Sequence, residues 1–346
     1  MTDAVAAQLL DALSARLEQP DLEYVEPLER LTGGYYTDNR SFRVNARDPN
    51  WSARLVLRLF PREGPPEQVR REFLVQSALT AQGFPVPNVL WCEEQVDVVG
   101  RRFLVMEFLD GRSPMGGAEF SAVLRAFPWL VVRMPTALAR TQAALHELSV
   151  GELTDAPDGL SFGVDRWLDV LDDAAASGAP ELEEAARWLR ANRPTERRLA
   201  ICHGDLWPGN LLVERGRVTS VLDWSVATVA EPALDVGFTA MGLTIAPIEA
   251  GPRVEAVILR QSRWMCRRYV KAYRSLTGAD LAAQPYYEAL RCALELIHVV
   301  EHRRALTNGV ERDAPTPTWD VASDRMIEYF ESRTGVRLQL PKRIVR

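Results

Sequence analysis

The chain has 346 residues, of which 47% are hydrophobic and 25% are charged, and its formal net charge at pH 7 is −6. This composition is ordinary for a globular protein and argues against disorder, and no dense basic stretch interleaved with aromatic residues supports nucleic-acid binding. The longest apolar run, residues 236–248, is too short to span a bilayer.

The N-terminal residues 1–18 predict an amphipathic surface helix and not a secretory signal, because apolar residues recur there at helical spacing: Val5, Leu9, Leu13 and Leu17. The cysteines are scattered without CxxC spacing, as is typical of free thiols in a reducing compartment: Cys92, Cys202, Cys266 and Cys292. We therefore expect a cytoplasmic protein with no membrane partner. The sequence leaves the oligomeric state open.

The first third of the chain predicts a small antiparallel sheet with one helix. The predicted strands are residues 27–31, 41–44, 54–60, 89–93 and 102–108. A helix is predicted over residues 67–82, because Pro65 and Pro66 precede it and Gly83 follows it.

The remainder is predicted to be mainly helical. Helical periodicity covers residues 134–149, 165–176, 181–191, 252–276, 281–304 and 322–332. Aromatic residues on the later helices could line a pocket for a small molecule or could belong to the core: Trp264, Tyr269, Tyr273, Tyr286 and Tyr287.

The most informative stretch is residues 203–213, HGDLWPGNLLV, which a short turn and strand separate from Asp223. Phosphoryl transfer from a nucleotide depends mostly on positioning and charge neutralisation. Asp205 is the candidate for orienting an attacking hydroxyl. Asn210 and Asp223 offer the hard oxygen ligands that Mg²⁺ prefers. The alternative is that His203, Asp205 and Asn210 are ordinary polar residues of a turn. A loop of this spacing followed by Asp223 is a pattern of several parts, which favours the functional interpretation.

This motif resembles the HxDxxxxN catalytic loop and the metal-binding aspartate of the aminoglycoside phosphotransferase and choline kinase-like family, which has a protein-kinase-like fold. The segment 231–235, EPALD, is a further point of resemblance. The resemblance implies an α+β fold with two lobes. An N-terminal nucleotide-binding lobe would cover residues 1–108, and a C-terminal catalytic and acceptor-binding helical lobe would cover residues 109–346.

The same resemblance implies a nucleotide site in the first lobe. The Gly33-Gly34 turn would cover the phosphates with backbone N–H groups, although such a pair is also common in plain hairpin turns. Arg58 stands where the family usually has a phosphate-binding lysine, and Glu72 would be its ionic partner. Solvated surface side chains are the alternative for this charged pair. The backbone between Glu107 and Leu109 would bind the adenine or guanine edge.

The resemblance gives His203 and Asp235 supporting roles, in which they hold the catalytic loop in shape. His146, among leucines at helical spacing, is better explained as a structural histidine.

We therefore expect a magnesium-dependent small-molecule O-kinase that transfers the γ-phosphoryl group of ATP or GTP to a hydroxyl of a metabolite or antibiotic. The alternative is a catalytically weak nucleotide-binding module of the same fold, which Arg58 in place of lysine would suit. From residue 236 to the C-terminus, 17 Lys and Arg stand against 12 Asp and Glu. A basic surround predicts a neutral or anionic acceptor and disfavours a polycationic aminoglycoside.

Overall fold

The protein is described from a computed structural model. The structure describes residues 2–31, 37–62, 64–115, 129–154, 162–308 and 318–343. The described residues form two compact units: the first contains those up to residue 115 and 208–227, and the second contains the rest. The first unit thus includes residues 208–227 in addition to the predicted N-terminal lobe, and the boundary at residue 108 stays a prediction.

The first unit is built on an antiparallel five-stranded sheet in the order β1-β2-β3-β5-β4. The strands are β1 (Tyr24–Arg30), β2 (Asp38–Val44), β3 (Leu55–Leu59), β4 (Val89–Glu93) and β5 (Phe103–Glu107). Between β2 and β3 lies the short helix α2 (Pro49–Ser52). The predicted sheet and its strand positions are confirmed, with shifts of a few residues at the ends.

The central strand β3 is buried along its whole length because helices cover the sheet. Helix α1 (Thr2–Arg16) packs Leu9 and Leu13 into the same core cluster as the leucines of β3. Helix α3 (Glu67–Ala81) contributes Val69 to a second cluster with Phe60 and Leu104. Burial on both faces explains why a charged side chain on β3 requires partners inside the unit.

A second hairpin completes the first unit. Strands β7 (Leu211–Glu214) and β8 (Arg217–Val221) pair antiparallel after a 3₁₀ turn at Pro208–Asn210. The N–H of Val221 donates to the carbonyl of Pro85 at 2.9 Å, and the ring of Trp224 packs edge-on against Phe84. These contacts fix the hairpin, and the chain that leaves it, on the first unit.

The second unit is mainly helical. Its helices are α4 (Met134–His146), α5 (Asp165–Ser177), α6 (Glu183–Ala191), α7 (Pro232–Ile245), α8 (Pro252–Thr277), α9 (Gln284–Thr307) and α10 (Ser323–Thr334). Short strands β6 (Ala200–Cys202) and β9 (Thr228–Ala230) pair antiparallel. The predicted α+β class is confirmed. Among the described residues, no helix is long and apolar enough to cross a membrane.

The tyrosines considered for a pocket lie in this helical core. Tyr269, Tyr273, Tyr286 and Tyr287 are all buried, so their alternative assignment as core residues is the one the structure favours. The rings of Tyr286 and Tyr287 also contact each other at 5.2 Å between centroids.

Helix α7 packs so closely on α9 that only glycine fits at position 237. A Cβ there would lie 2.9 Å from Tyr287 Cβ and 3.0 Å from the carbonyl oxygen of Gln284. We expect Gly237→Ala to lower the free energy of unfolding by about 1–3 kcal/mol, because the helices must move apart. The midpoint of urea unfolding, followed by circular dichroism, measures this effect.

Gly242→Ala in the same helix is the matched control. The nearest atom to a Cβ at position 242 is a carbon of Trp319 at 4.0 Å, and alanine is the better helix former. We expect this variant to unfold at the wild-type midpoint or slightly above it. Equal midpoints for the two variants would contradict the close approach at Gly237.

Candidate active site

A buried ion-pair network lies on β3 of the first unit. Arg58 Nε is 3.0 Å from Glu72 Oε1, and Arg58 Nη2 donates to Asp223 Oδ1 at 2.7 Å. The side chains of Arg58 and Glu72 are 6% and 1% exposed, whereas that of Asp223 is 42% exposed. The predicted pair of Arg58 and Glu72 is therefore present. Its link to Asp223 was not anticipated from the sequence.

The three charges of this network depend on one another. Burial raises the pKa of Glu72 to about 7, although the Arg58 guanidinium opposes the rise. Burial would lower the pKa of Arg58, but the carboxylates of Glu72 and Asp223 outweigh it and raise that pKa. Arg58 thus stays a cation that both carboxylates share.

The backbone at Asp223 is strained. Its φ is +64°, in the left-handed region that few non-glycine residues adopt. The hydroxyl of Ser225 donates to Asp223 Oδ1 at 2.9 Å and, with Arg58, fixes the carboxylate. Strained residues held in this way are concentrated at functional sites.

The β7–β8 hairpin brings Asn210 to the same end as Asp223. Leu211 pairs with Val221, so Asn210 precedes one strand and Asp223 follows the other. The N–H of Leu222 donates to the carbonyl of Asn210 at 2.8 Å, which closes this end. A carboxamide and a partly exposed carboxylate are hard oxygen donors, and this donor set fits Mg²⁺.

The other predicted nucleotide contacts are less well defined. Gly33 and Gly34 lie outside the described residues. At the end of β5, the N–H of Glu107 donates to the carbonyl of Asn88, and that of Phe108 donates to the carbonyl of Arg54. These two N–H groups are therefore already hydrogen-bonded within the first unit. Nucleotide-base recognition by Glu107 and Leu109 stays a prediction.

In the second unit, Asp235 holds the loop that carries Asp205. Asp235 accepts hydrogen bonds from the N–H groups of His203 at 2.9 Å and Gly204 at 2.8 Å, and from His146 Nε2 at 3.1 Å. Gly204 has a φ of +78°, which a residue with a Cβ rarely adopts. His203 Nδ1 accepts the N–H of Asp205 at 3.2 Å. These bonds set the backbone direction at Asp205.

The carboxylate of Asp235 is fully buried. Burial would raise its pKa, but the interactions with His146 and His203 outweigh it and lower the pKa. The second ring nitrogen of His146, Nδ1, lies 2.7 Å from the Tyr273 hydroxyl oxygen, within hydrogen-bond distance. His146 is therefore structural, as predicted, since both of its ring nitrogens hold core groups in place.

His146, Cys202 and Asp235 place donor atoms within 4.8 Å of one another, a spacing that could suit a metal ion. The carboxylate of Asp235 already accepts three N–H groups, and burial raises the pKa of the Cys202 thiol well above its ordinary value. A neutral thiol and an occupied carboxylate make this cluster a hydrogen-bonded support of the loop.

The side chain of Asp205 is 35% exposed and is held by an arginine that the sequence analysis did not identify. Arg291 Nη2 donates to Asp205 Oδ1 at 2.8 Å, and Nη1 donates to the carbonyl of Gly204 at 2.9 Å. Glu295 Oε1 lies 2.6 Å from Arg291 Nη2, and the guanidinium lies 5.3 Å from the Phe238 ring centroid. One oxygen of Asp205 is thus oriented by a fixed cation. An arginine and a glutamate four apart are common on helix surfaces, so the sequence carried no distinguishing signal.

Comparison with known families agrees with the sequence motif. The model of the phosphotransferase enzyme family (APH) matches residues 28–279. Acyl-CoA dehydrogenase family member 11 of Gallus gallus is 33% identical over 187 residues, which are 49% of this chain and 22% of that protein. An aminoglycoside 3′-phosphotransferase of Streptomyces fradiae is 36% identical over 185 residues, 48% of this chain and 62% of that protein. The chain therefore spans about a fifth of the length of its dehydrogenase-family relatives.

Solved structures share the fold. A Ralstonia eutropha protein provisionally named an aminoglycoside phosphotransferase has a TM-score of 0.64 and 22% identity, over 95% of this chain and 99% of that one. A thermostable aminoglycoside phosphotransferase in a ternary complex with ADP and hygromycin B has a TM-score of 0.56 and 15% identity, over 95% of this chain and 98% of that one. Another ternary complex of that enzyme holds AMP-PNP.

Proposed function

This chain belongs to the APH phosphotransferase enzyme family, and on that premise we propose that it transfers the γ-phosphoryl group of ATP or GTP to a hydroxyl of a small molecule. The observation that carries the proposal is the state of Asp205. Its carboxylate is partly exposed, while hydrogen bonds to buried groups fix the loop beneath it. A general base needs this combination of access and fixed direction.

In the proposed reaction, Asp205 accepts a hydrogen bond from the acceptor hydroxyl and takes its proton as the oxygen attacks the γ-phosphorus. The bond from that phosphorus to the β–γ bridging oxygen breaks, and the nucleoside diphosphate leaves. Arg291 donates a hydrogen bond to Asp205 Oδ1 and thereby limits rotation of the carboxylate. His203 and Asp235 position the backbone of the loop and do not touch the acceptor. The role of these residues is positioning, which supplies a large part of the rate in phosphoryl transfer.

The first unit would hold the nucleotide and its Mg²⁺. Arg58 would contact a phosphate, Glu72 would keep Arg58 in place, and Asn210 and Asp223 would hold the metal. When bound, Mg²⁺ neutralises charge on the phosphates. The nucleotides in the related structures, ADP and AMP-PNP, favour ATP over GTP as the donor.

The acceptor is proposed to be a neutral or anionic hydroxylated compound. Helix α8 carries seven Lys and Arg and one Glu, a balance of +6 within a chain of net charge −6. A polycationic acceptor would be repelled by this charge. Similarity to an aminoglycoside 3′-phosphotransferase would instead favour a cationic acceptor. An assay with acceptors of both charge signs distinguishes the two.

A screen of nucleoside diphosphate release tests the proposed function. Purified protein with Mg²⁺ and ATP, or GTP, is incubated with hydroxylated metabolites and antibiotics, with Asp205→Asn as the blank for background hydrolysis. We expect acceptor-dependent release that is confined to neutral or acidic alcohols. Efficient phosphorylation of kanamycin-like amines would contradict the acceptor class. No acceptor-dependent release, with intact nucleotide binding, would favour the binding-module alternative.

Arg58 provides a test of the nucleotide site. We expect Arg58→Ala to raise the nucleotide KM and lower kcat, with kcat/KM falling about 10- to 100-fold, because a buried charge-assisted contact is lost. Arg58→Lys should retain part of the activity, since an ammonium can still reach a phosphate. Steady-state kinetics at varied ATP measure both effects.

Arg43→Ala is the control for this series. Arg43 is an exposed residue of the neighbouring strand β2, and its Nε donates to the carbonyl of Ser52 at 2.8 Å. It should leave the nucleotide KM unchanged. Wild-type kinetics in a folded Arg58→Ala protein would remove Arg58 from the nucleotide site.

A further inference from the structure

A groove of about 730 Å³ lies among four helices of the second unit, and the residues that hold Asp205 are not part of its lining. Its lining comes from α8, with smaller contributions from α7, α9 and α10, and we call it the basic groove. The charged residues of its lining are Arg263, Arg267, Lys271, Arg274, Glu288 and Arg333. Sites for small ligands commonly have volumes of about 300–1,000 Å³, so its size suits a small molecule.

Four cations of α8 form a single stripe along the groove. Arg263, Arg267, Lys271 and Arg274 are spaced by four, four and three residues, which places them on one helix face. At 1.5 Å per residue, the stripe is about 16 Å long. One of the two lysines of the whole chain belongs to it.

The four cations of the stripe differ from the other arginines of the protein in their pairing. Among the described residues, none of the four makes a salt bridge or a side-chain hydrogen bond, whereas Arg58, Arg291 and Arg303 are each paired with carboxylates. The one carboxylate of the lining, Glu288, is 3% exposed and already lies 2.6 Å from Arg333. The groove therefore has a large uncompensated positive charge.

The walls between the cations are apolar. Cys266 and Val270 lie on the α8 side, and the ring of Tyr329 lies on the side of α10, where the Arg333 guanidinium stacks 4.4 Å from its centroid. A concave surface with separated cations and an apolar wall suits a compound whose anionic groups are separated by a short carbon skeleton or a bridging oxygen. A long polyanion such as nucleic acid would meet the net negative charge of the rest of the chain.

We propose that the basic groove binds a small molecule with at least two anionic groups, either phosphates or carboxylates. The proposal does not rest on the proposed function, because Arg291 and His203, which hold Asp205, do not line the groove. The ligand would bridge neighbouring cations of α8 and release their mutual repulsion.

Calorimetric titration of the full chain tests the proposal with four probes at fixed ionic strength: inorganic pyrophosphate, citrate, inorganic phosphate and polyglutamate. The groove variant is Arg267→Gln/Lys271→Gln, in which glutamine keeps the helix propensity of the exposed positions. The matched control is Arg253→Gln/Arg268→Gln, which removes the same charge from the same helix at positions that line neither the basic groove nor the cavity that shares Arg263 and Arg267 with it.

We expect wild type and control to bind pyrophosphate or citrate more tightly than phosphate, and the groove variant to lose at least about tenfold in affinity, because two charge-assisted contacts disappear. Preference for pyrophosphate over citrate identifies phosphate as the anionic group of the ligand, and the reverse preference identifies carboxylate.

Equal affinity in groove variant and control, or no binding to wild type at millimolar probe, overturns the proposal. Binding of polyglutamate without binding of either small probe also overturns it, in favour of an acidic protein partner. The titration includes no phosphoryl transfer, so its failure leaves the proposed function untouched.

Discussion

Asp205→Asn should lower kcat for phosphoryl transfer by about 100-fold or more while leaving the fold and nucleotide affinity nearly unchanged. The amide has the same shape and can still accept the hydrogen bond from Arg291, but it cannot take a proton. A positioned base contributes about 10²–10⁴-fold to such a rate. Single-turnover kinetics with saturating acceptor measure the chemical step, and calorimetry with AMP-PNP and Mg²⁺ measures nucleotide binding. More than about a tenth of the wild-type rate would remove Asp205 as the base.

Asp223→Ala should fail in a different way, which makes it the contrast for Asp205→Asn. It removes a proposed oxygen ligand and the partner of Arg58 Nη2, so magnesium–nucleotide affinity itself should fall. Glu72 would remain as the neighbour of Arg58 and keep the guanidinium paired. Unchanged affinity in calorimetry would exclude Asp223 from the metal site. If both Asp205→Asn and Asp223→Ala lowered kcat and kept the magnesium–nucleotide affinity, the separate roles proposed for the two residues would be contradicted.

Features that depend on local sequence were predicted well. Strand β3 shows a run of apolar residues, and α3 has proline before it and glycine after it, so their positions were found to within a residue or two. The HxDxxxxN spacing likewise predicts that Asp205 and Asn210 belong to one loop ahead of a strand, and Asn210 does directly precede β7, while the roles of both residues stay predictions. Such signals are contained in a few neighbouring residues, where side-chain and backbone preferences act directly.

Features that depend on distant contacts were missed. Helix α7 is apolar on nearly every side, so it lacks the 3.6-residue periodicity that distinguishes a helix from a buried strand. Arg291 reaches Asp205 across 86 residues of sequence, and its identity as a loop contact follows only from the packing of α9. The link between Arg58 and Asp223 spans 165 residues. In each case the decisive interaction is tertiary, and nothing near the residue in sequence encodes it.

Asp235 is expected to stabilise the second unit, since its buried carboxylate accepts three hydrogen bonds. We expect Asp235→Asn to lower the free energy of unfolding by about 3 kcal/mol or more, because the amide group would face N–H donors that now share two carboxylate oxygens. Hydrogen exchange at His203 and Gly204 should accelerate in the same variant. Urea unfolding and mass-spectrometric hydrogen exchange measure the two effects. Asp173→Asn on α5, at an exposed carboxylate of the same unit, is the matched control and should change neither.

The pH dependence of stability distinguishes a charged Asp235 from a merely well-packed one. Its pKa is lowered in the folded protein, whereas the unfolded value is about 3.9. The ionised carboxylate therefore contributes stability above about pH 4, and this contribution is lost as the pH falls through the folded-state pKa. Between about pH 5 and about pH 3, wild type and Asp173→Asn should lose more unfolding free energy than Asp235→Asn, which has no carboxylate to protonate. An equal loss in all three proteins would show that Asp235 holds the loop by shape alone and that its charge adds nothing.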